Sequence, residues 1–123
     1  MTRVLLVEDD ATVSAVVEVL LSTEPGLDLV GSATRAEDAL ELAGGLQPGL
    51  VLLDDQLAGE LGGIQAAPLF KQAVPGVVVL LCSALDPQST AGAAGIDGHL
   101  RKDRLVELVD DVQALLAAQP GRA

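Results

Sequence analysis

The chain has 123 residues, half of them hydrophobic, and its 18 acidic and 7 basic residues leave a net charge of −11. This is the length of one domain with enough apolar residues to fill a core, and its negative charge argues against nucleic-acid binding because the phosphate backbone would repel it. The single cysteine, Cys82, excludes a disulfide framework. No apolar run reaches the roughly 18–20 residues that span a bilayer, and the N-terminal residues are not typical of a signal peptide. We therefore expect a single cytoplasmic α/β domain.

Three short aliphatic runs predict buried strands. They cover 4–7, 50–53 and 77–81, and unbroken aliphatic runs of this length are typical of parallel strands that are covered on both faces. Two weaker strand candidates are 27–31 and 98–101. Strands alternate with helical patterns five times, and right-handed crossovers then predict an open parallel sheet with helices on both faces.

Apolar stripes with helical spacing separate these strands. They predict helices within 13–21, 36–43 and 105–116. The second helix is expected to end before Gly44, because glycine is a poor helix former. The third is expected to have Asp103 as its N-cap, since aspartate can accept hydrogen bonds from the first free backbone N–H groups.

Two further predicted helices each contain a residue that disfavours a helix. In 64–73 the apolar spacing is helical, but Pro68 should kink the helix or restrict it to its first turns. The segment 87–94 is short and contains Gly92, which weakens a helix.

Reactive side chains directly follow four of the predicted strands. These side chains are Glu8, Asp9, Asp54, Ser83 and Lys102, and the carboxyl ends of parallel strands meet at the edge where such sheets bind ligands. Like charges about 4 Å apart repel by roughly 4 kcal/mol at an effective dielectric constant near 20, so a divalent cation is expected between the acids. Oxygen donors favour Mg²⁺ over zinc. The set suits phosphoryl transfer to Asp54, although spacing alone leaves open that these acids lie in solvated turns.

Four segments at these positions resemble the signatures of the response-regulator receiver domain. They are VLLVEDD at 4–10, LVLLDDQLAGELGG at 50–63, LLCSA at 80–84 and GIDGHLRKD at 95–103. They occur in the family's order, and the last is most similar to receivers of LuxR-type transcription factors. The resemblance implies a CheY-like, flavodoxin-like (βα)5 fold, a doubly wound parallel sheet with strand order 2-1-3-4-5, in residues 1–118, with 119–123 as a C-terminal tail.

The resemblance also implies a role for each matching residue. The metal ligands for Mg²⁺ would be Glu8, Asp9, Asp54 and the backbone carbonyl of Gln56. Asp54 would accept the phosphoryl group, and Ser83 and Lys102 would contact it. His99 stands where receivers usually carry Tyr or Phe, and we interpret it either as a weakened or pH-sensitive switch residue or as a strand-end histidine without a role.

A receiver of this kind would be phosphorylated by a sensor histidine kinase and would switch protein–protein contacts. It would catalyse its own phosphorylation and dephosphorylation but turn over no other substrate. The resemblance leaves room for a fused or separate output domain and for a homodimer, and it implies no direct contact with nucleic acid or membrane. The alternative is a pseudo-receiver that acts as a constitutive protein-interaction module. The presence of all five polar residues of the site argues against this alternative.

Other positions depart from the family or extend its motifs. The spacing from Ser83 to Lys102 is roughly three residues shorter than usual, close to one helical turn. The deletion falls on 87–94 and predicts an altered or reduced output surface. We interpret Asp10 as the N-cap of the first helix. Asp55 is expected to face away from Asp54 because side chains alternate along a strand.

Overall fold

The computed structural model describes residues 1–57, 59–84 and 92–119. Within these ranges five strands form one parallel sheet in the order 2-1-3-4-5, as predicted. The strands are β1 (Thr2–Val7), β2 (Leu27–Ala33), β3 (Leu50–Asp54), β4 (Val78–Ser83) and β5 (Gly98–Arg101). The helices are α1 (Ala11–Ser22), α2 (Ala36–Leu46), α3 (Gly63–Ala73) and α4 (Leu108–Ala117). None of these helices is both long and apolar enough to pass through a membrane.

Helices cover both faces of the sheet. Successive residues of each strand point to opposite faces, so each strand contributes to both cores. On one side Leu5, Val51 and Leu81 pack against α2 and α3, whose Phe70 is fully buried. On the other side the neighbouring strand residues pack against α1 and α4. Burying a leucine or phenylalanine side chain stabilises the fold by about 1.5–3 kcal/mol, so these two cores explain why β3 and β4 are aliphatic up to the polar residues at their carboxyl ends.

Two helices continue past residues that disfavour a helix, Gly44 as an expected end and Pro68 as an expected kink or restriction to the first turns. α2 includes Gly44 and ends at Leu46, after which Gln47 adopts a left-handed conformation with φ 48°. α3 runs through Pro68 to Ala73. In both cases the opposite face of the helix is buried against the sheet, and this packing outweighs the propensity cost of about 1 kcal/mol for glycine and about 3 kcal/mol for proline.

The last helical segment begins differently from the prediction. A 3-10 helix covers Lys102–Glu107 before α4 starts, and its N-cap is Arg101 rather than Asp103. Asp103 lies in the first turn of this 3-10 helix and forms an ion pair with Arg101 at 2.8 Å. The predicted cap was therefore wrong because the chain becomes helical before Asp103, and Glu107 is the N-cap of α4.

The predicted helix over 87–94 lies mostly outside the described residues. Its last three residues, 92–94, belong to a turn rather than a helix, and Gly92 has a positive φ of 81° that side-chain-bearing residues rarely adopt. The expectation of an altered output surface stays a prediction.

Candidate functional site

The register of the sheet brings three strand ends to one level. Val7 pairs with Leu53 across β1 and β3, and Asp54 pairs with Cys82 across β3 and β4. The polar residues at these ends are almost fully buried, with exposed fractions of 4% for Glu8, 2% for Asp54 and 3% for Ser83. Buried polar groups are costly unless they have partners, so their contacts define the site.

Lys102 bridges the two buried carboxylates. Its Nζ lies 3.1 Å from Glu8 Oε1 and 3.0 Å from Asp54 Oδ1. Burial lowers the pKa of Lys102, but hydrogen bonds and charge attraction from Asp54 and Glu8 outweigh burial and raise it above its ordinary value. The amine therefore stays charged, and it can neutralise one of the two carboxylates.

Asp54 is the carboxylate of this group whose charged form is disfavoured. Burial, and after it the contact with Glu8, raise the pKa of Asp54, whereas hydrogen bonds from Gln56 N–H and Lys102 lower it, and the net result is a pKa of about 7. Its Oδ1 accepts the Gln56 N–H at 3.2 Å, whereas its buried Oδ2 has no hydrogen-bond partner among the described residues. A buried carboxylate oxygen without a donor favours the binding of either a proton or a cation.

Three carboxylates are grouped closely enough to hold one metal ion. Glu8, Asp9 and Asp54 each offer an oxygen, and these oxygens lie within 4.8 Å of one another. Asp9 is exposed, so the group opens to solvent on its side. Hard oxygen donors with one unsatisfied buried oxygen fit a small divalent cation. The predicted gathering of acids at this edge is confirmed.

Asp10 supports this group from the start of α1. Its Oδ1 accepts the N–H groups of Thr12 at 2.8 Å and Val13 at 3.1 Å, which confirms it as the N-cap. Its own N–H donates to Glu8 Oε2 at 3.1 Å. The cap therefore helps to fix the Glu8 carboxylate beside Asp54.

The loop that follows Asp54 is anchored by two residues that sequence reasoning missed. Glu37 of α2 accepts the Leu61 N–H at 3.0 Å. Gly63 lies so close to β3 that a Cβ atom there would be 1.9 Å from the Asp54 carbonyl oxygen. Gly63 stands in the quoted motif, but its role depends on this close approach. For Glu37 no signal in the sequence indicates the contact with Leu61.

Ser83 and Asp55 form a separate pair. The Ser83 Oγ donates a hydrogen bond to Asp55 Oδ2 at 2.7 Å. Asp55 is not part of the carboxylate group around Asp54, in agreement with its predicted orientation. The structure therefore brings the predicted phosphoryl-binding hydroxyl to the edge, but with a partner that the sequence analysis did not assign.

His99 and Cys82 lie beside the site rather than in it. His99 is half-buried opposite Leu81 in the sheet, and its buried Nε2 has no hydrogen-bond partner within the part of the chain that the structure describes. Cys82 is buried, and burial raises the pKa of its thiol to about 12, which disfavours the reactive thiolate.

Comparison with known protein families gives one family match over most of the chain. Residues 4–113 match the family described as the response regulator receiver domain. The response regulator GacA of Pseudomonas aeruginosa is 35% identical over an alignment 124 residues long, which covers 97% of this chain and 57% of that protein. The nitrate/nitrite response regulator NarL of Escherichia coli is 32% identical over 120 residues, covering 96% of this chain and 55% of that protein. The chain thus spans little more than half the length of these relatives.

Solved structures show the same likeness. The signal receiver domain of a NarL-type regulator from Mycobacterium tuberculosis superimposes with a TM-score of 0.85 at 30% identity, covering 96% of this chain and 98% of that one. A LuxR-family two-component response regulator from Aurantimonas gives a TM-score of 0.87 at 28% identity, covering 97% of this chain and 87% of that one. The resemblance drawn from the four sequence segments is confirmed.

Proposed function

Because this chain belongs to the response-regulator receiver domain family, we propose that it accepts a phosphoryl group on Asp54 from a sensor histidine kinase and thereby switches its contacts with other proteins. The observation that carries the proposal is the buried Asp54 carboxylate, with one oxygen held by Lys102 and Gln56 and the other oxygen unpartnered within the described residues. Such an oxygen retains the lone pairs that a nucleophile needs.

The metal expected with this function is Mg²⁺. The ligands would be Glu8, Asp9, Asp54 and the backbone carbonyl of Gln56. When bound, the ion would supply positive charge for the oxygens of the transferring phosphoryl group. The grouping of the three carboxylates supports this assignment.

The chain's own residues would carry the remaining steps. A carboxylate oxygen of Asp54 attacks phosphorus, the bond from phosphorus to the kinase histidine breaks, and the imidazole leaves. The phosphoryl group brings about −1.5 to −2 charge and three acceptor oxygens. Lys102 already lies 3.0 Å from Asp54, so its amine can pair with an added anion, and the Ser83 hydroxyl would donate to one of the new oxygens.

The wider role is that of a signalling domain rather than of an enzyme with a diffusible substrate. We propose that residues 1–118 act in the cytoplasm, that the domain catalyses its own dephosphorylation, that Ser83 and His99 are the switch residues, and that the output surface at 87–94 is altered or reduced. The relatives are nearly twice as long as the matched region. That length supports an output domain, fused or separate, and a homodimer would be compatible with this role.

Phosphorylation can be tested with acetyl phosphate and MgCl2 on the wild-type chain. Intact-mass spectrometry should show one added phosphoryl group, and Asp54→Asn should show none. The matched control is Asp28→Asn, because Asp28 is an exposed aspartate on β2 and its loss should leave the uptake unchanged. If neither acetyl phosphate nor a phosphorylated histidine kinase modifies the wild type, and beryllofluoride does not bind, the chain is a constitutive interaction module and the proposal is wrong.

A further inference from the structure

The residue that follows the proposed phosphoryl acceptor is a second carboxylate, and it binds the hydroxyl that the phosphoryl group needs. Ser83 Oγ donates to Asp55 Oδ2 at 2.7 Å. A serine hydroxyl has one proton and donates it to one acceptor at a time. We propose that Asp55 is a positioning residue that holds the Ser83 hydroxyl in the unphosphorylated state and opposes its transfer to the phosphoryl group. This inference deepens the proposed function and rests on it.

The backbone places Asp55 next to Ser83. Asp54 pairs with Cys82 in the sheet, and the N–H of Asp55 donates to the Cys82 carbonyl at 3.2 Å, which extends the pairing by one residue. The Asp55 carbonyl accepts the Gly63 N–H at 3.3 Å, so this peptide is held on both sides. Strand register therefore brings Asp55 and Ser83 to neighbouring positions, where their side chains can meet.

Strand alternation also separates the two aspartates. Leu52 and Cys82 pack on the α1 and α4 side of the sheet, and Leu53 packs on the α2 and α3 side. Continuing that alternation puts Asp54 on the first side, and Asp55 with Ser83 on the second. Ser83 and Asp55 therefore lie on the same face of the sheet. The Ser83 hydroxyl must change its hydrogen-bond partner before it can bind a group attached to Asp54.

Asp55 would oppose phosphorylation in two ways. One is the hydrogen bond, which is strong because the acceptor is charged and the Ser83 side chain is buried. The other is repulsion between the Asp55 carboxylate and the incoming phosphoryl charge. Only the first depends on the Ser83 hydroxyl, so removing that hydroxyl separates the two effects.

The test is a double-mutant cycle on the binding of beryllofluoride, a phosphoryl mimic, in the presence of MgCl2. The four proteins are the wild type, Asp55→Leu, Ser83→Ala and the double variant. With Ser83 present, Asp55→Leu should tighten binding about tenfold, the equivalent of ~1.4 kcal/mol. In the Ser83→Ala background the same change should tighten binding less than about threefold, because only the charge effect remains. Asp55→Asn keeps an acceptor oxygen without the charge and should give an intermediate affinity.

A second measurement tests the contact without metal or mimic. Urea unfolding of the same four proteins should show a coupling between Asp55 and Ser83 of about tenfold in the unfolding equilibrium constant, as expected for a hydrogen bond to a charged group. This cycle also shows that each variant is folded before its affinity is interpreted.

Several results would overturn the inference. Equal tightening by Asp55→Leu in both backgrounds would mean that Asp55 acts through charge alone, and unchanged or weaker binding would mean that it does not oppose the switch. The absence of coupling in urea would remove the contact itself. Beryllofluoride binding by all four proteins without coupling would contradict only the role of Asp55. Failure of the wild type both to bind the mimic and to take up phosphoryl would refute the proposed function as well.

Discussion

The stability of the metal-free protein should fall as the pH rises from acidic to neutral values, because of Asp54. Burial and the contact with Glu8 raise the pKa of this carboxyl from 3.8 to about 7 in the folded chain. Between these values the folded state keeps a proton that the unfolded state has released, so each increase in pH favours unfolding. At about 1.36 kcal/mol for each pH unit, the raised pKa corresponds to a loss of at most about 4 kcal/mol of unfolding free energy.

Asp54→Asn removes this titration and isolates its effect. Urea unfolding of the wild type and the variant in EDTA, in steps between about pH 4 and 8, should show the wild type losing stability relative to Asp54→Asn as the pH increases. Asp28→Asn retains Asp54 and should follow the wild type. Excess MgCl2 should reduce the difference between wild type and Asp54→Asn, since a cation at the carboxylates stabilises their charged form.

Parallel stability curves for the wild type and Asp54→Asn across this pH range would refute the reasoning. They would mean that Asp54 binds its proton equally well in the folded and unfolded chain. In that case neither burial nor the proximity of Glu8 would make the charged carboxylate unfavourable, despite its exposed fraction of 2%.

Two further predictions concern the supports of the site and the fold. Gly63→Ala should lower the unfolding free energy by about 1–3 kcal/mol, because the new Cβ would lie 1.9 Å from the Asp54 carbonyl oxygen. The control is Gly45→Ala, whose new Cβ would have no atom within 4 Å and should stabilise α2 by about 0.5–1 kcal/mol. Similar chemical-denaturation midpoints for the two variants would contradict this contrast. Lys71 of α3 forms an ion pair with Asp97, so Lys71→Met should destabilise the fold by about 1–3 kcal/mol. Thermal unfolding should show a smaller cost in an Asp97→Asn background, where the hydrogen bond from Lys71 to the Val77 carbonyl remains, and a fully additive cost would count against the pair.

The sequence predicted the sheet well because buried parallel strands have a composition that few other elements share. The aliphatic runs at 4–7 and 50–53 lie inside β1 and β3, and the predicted bounds of 98–101 match β5. Predictions of helix ends were less successful. α2 continues past Gly44 and α3 continues past Pro68, because packing against the sheet outweighs the local preference. Asp103 is not a cap, because the 3-10 helix begins before it.

The site followed from sequence as far as chain topology could take it. The order of strands and helices requires that the carboxyl ends of β1, β3, β4 and β5 share one edge, and this was enough to place Glu8, Asp54, Ser83 and Lys102 at that edge. The residue types then indicated charge compensation by an amine and a cation. These conclusions needed no knowledge of distances.

Only the tertiary structure decided which side chain contacts which. Lys102 reaches Glu8 across 94 residues of sequence, and Ser83 reaches Asp55 across 28. Such contacts depend on strand register, on the side of the pleat and on close approaches such as that of Gly63 to Asp54. A hydrogen bond forms or fails within a few tenths of an ångström, and sequence spacing carries no information at that scale.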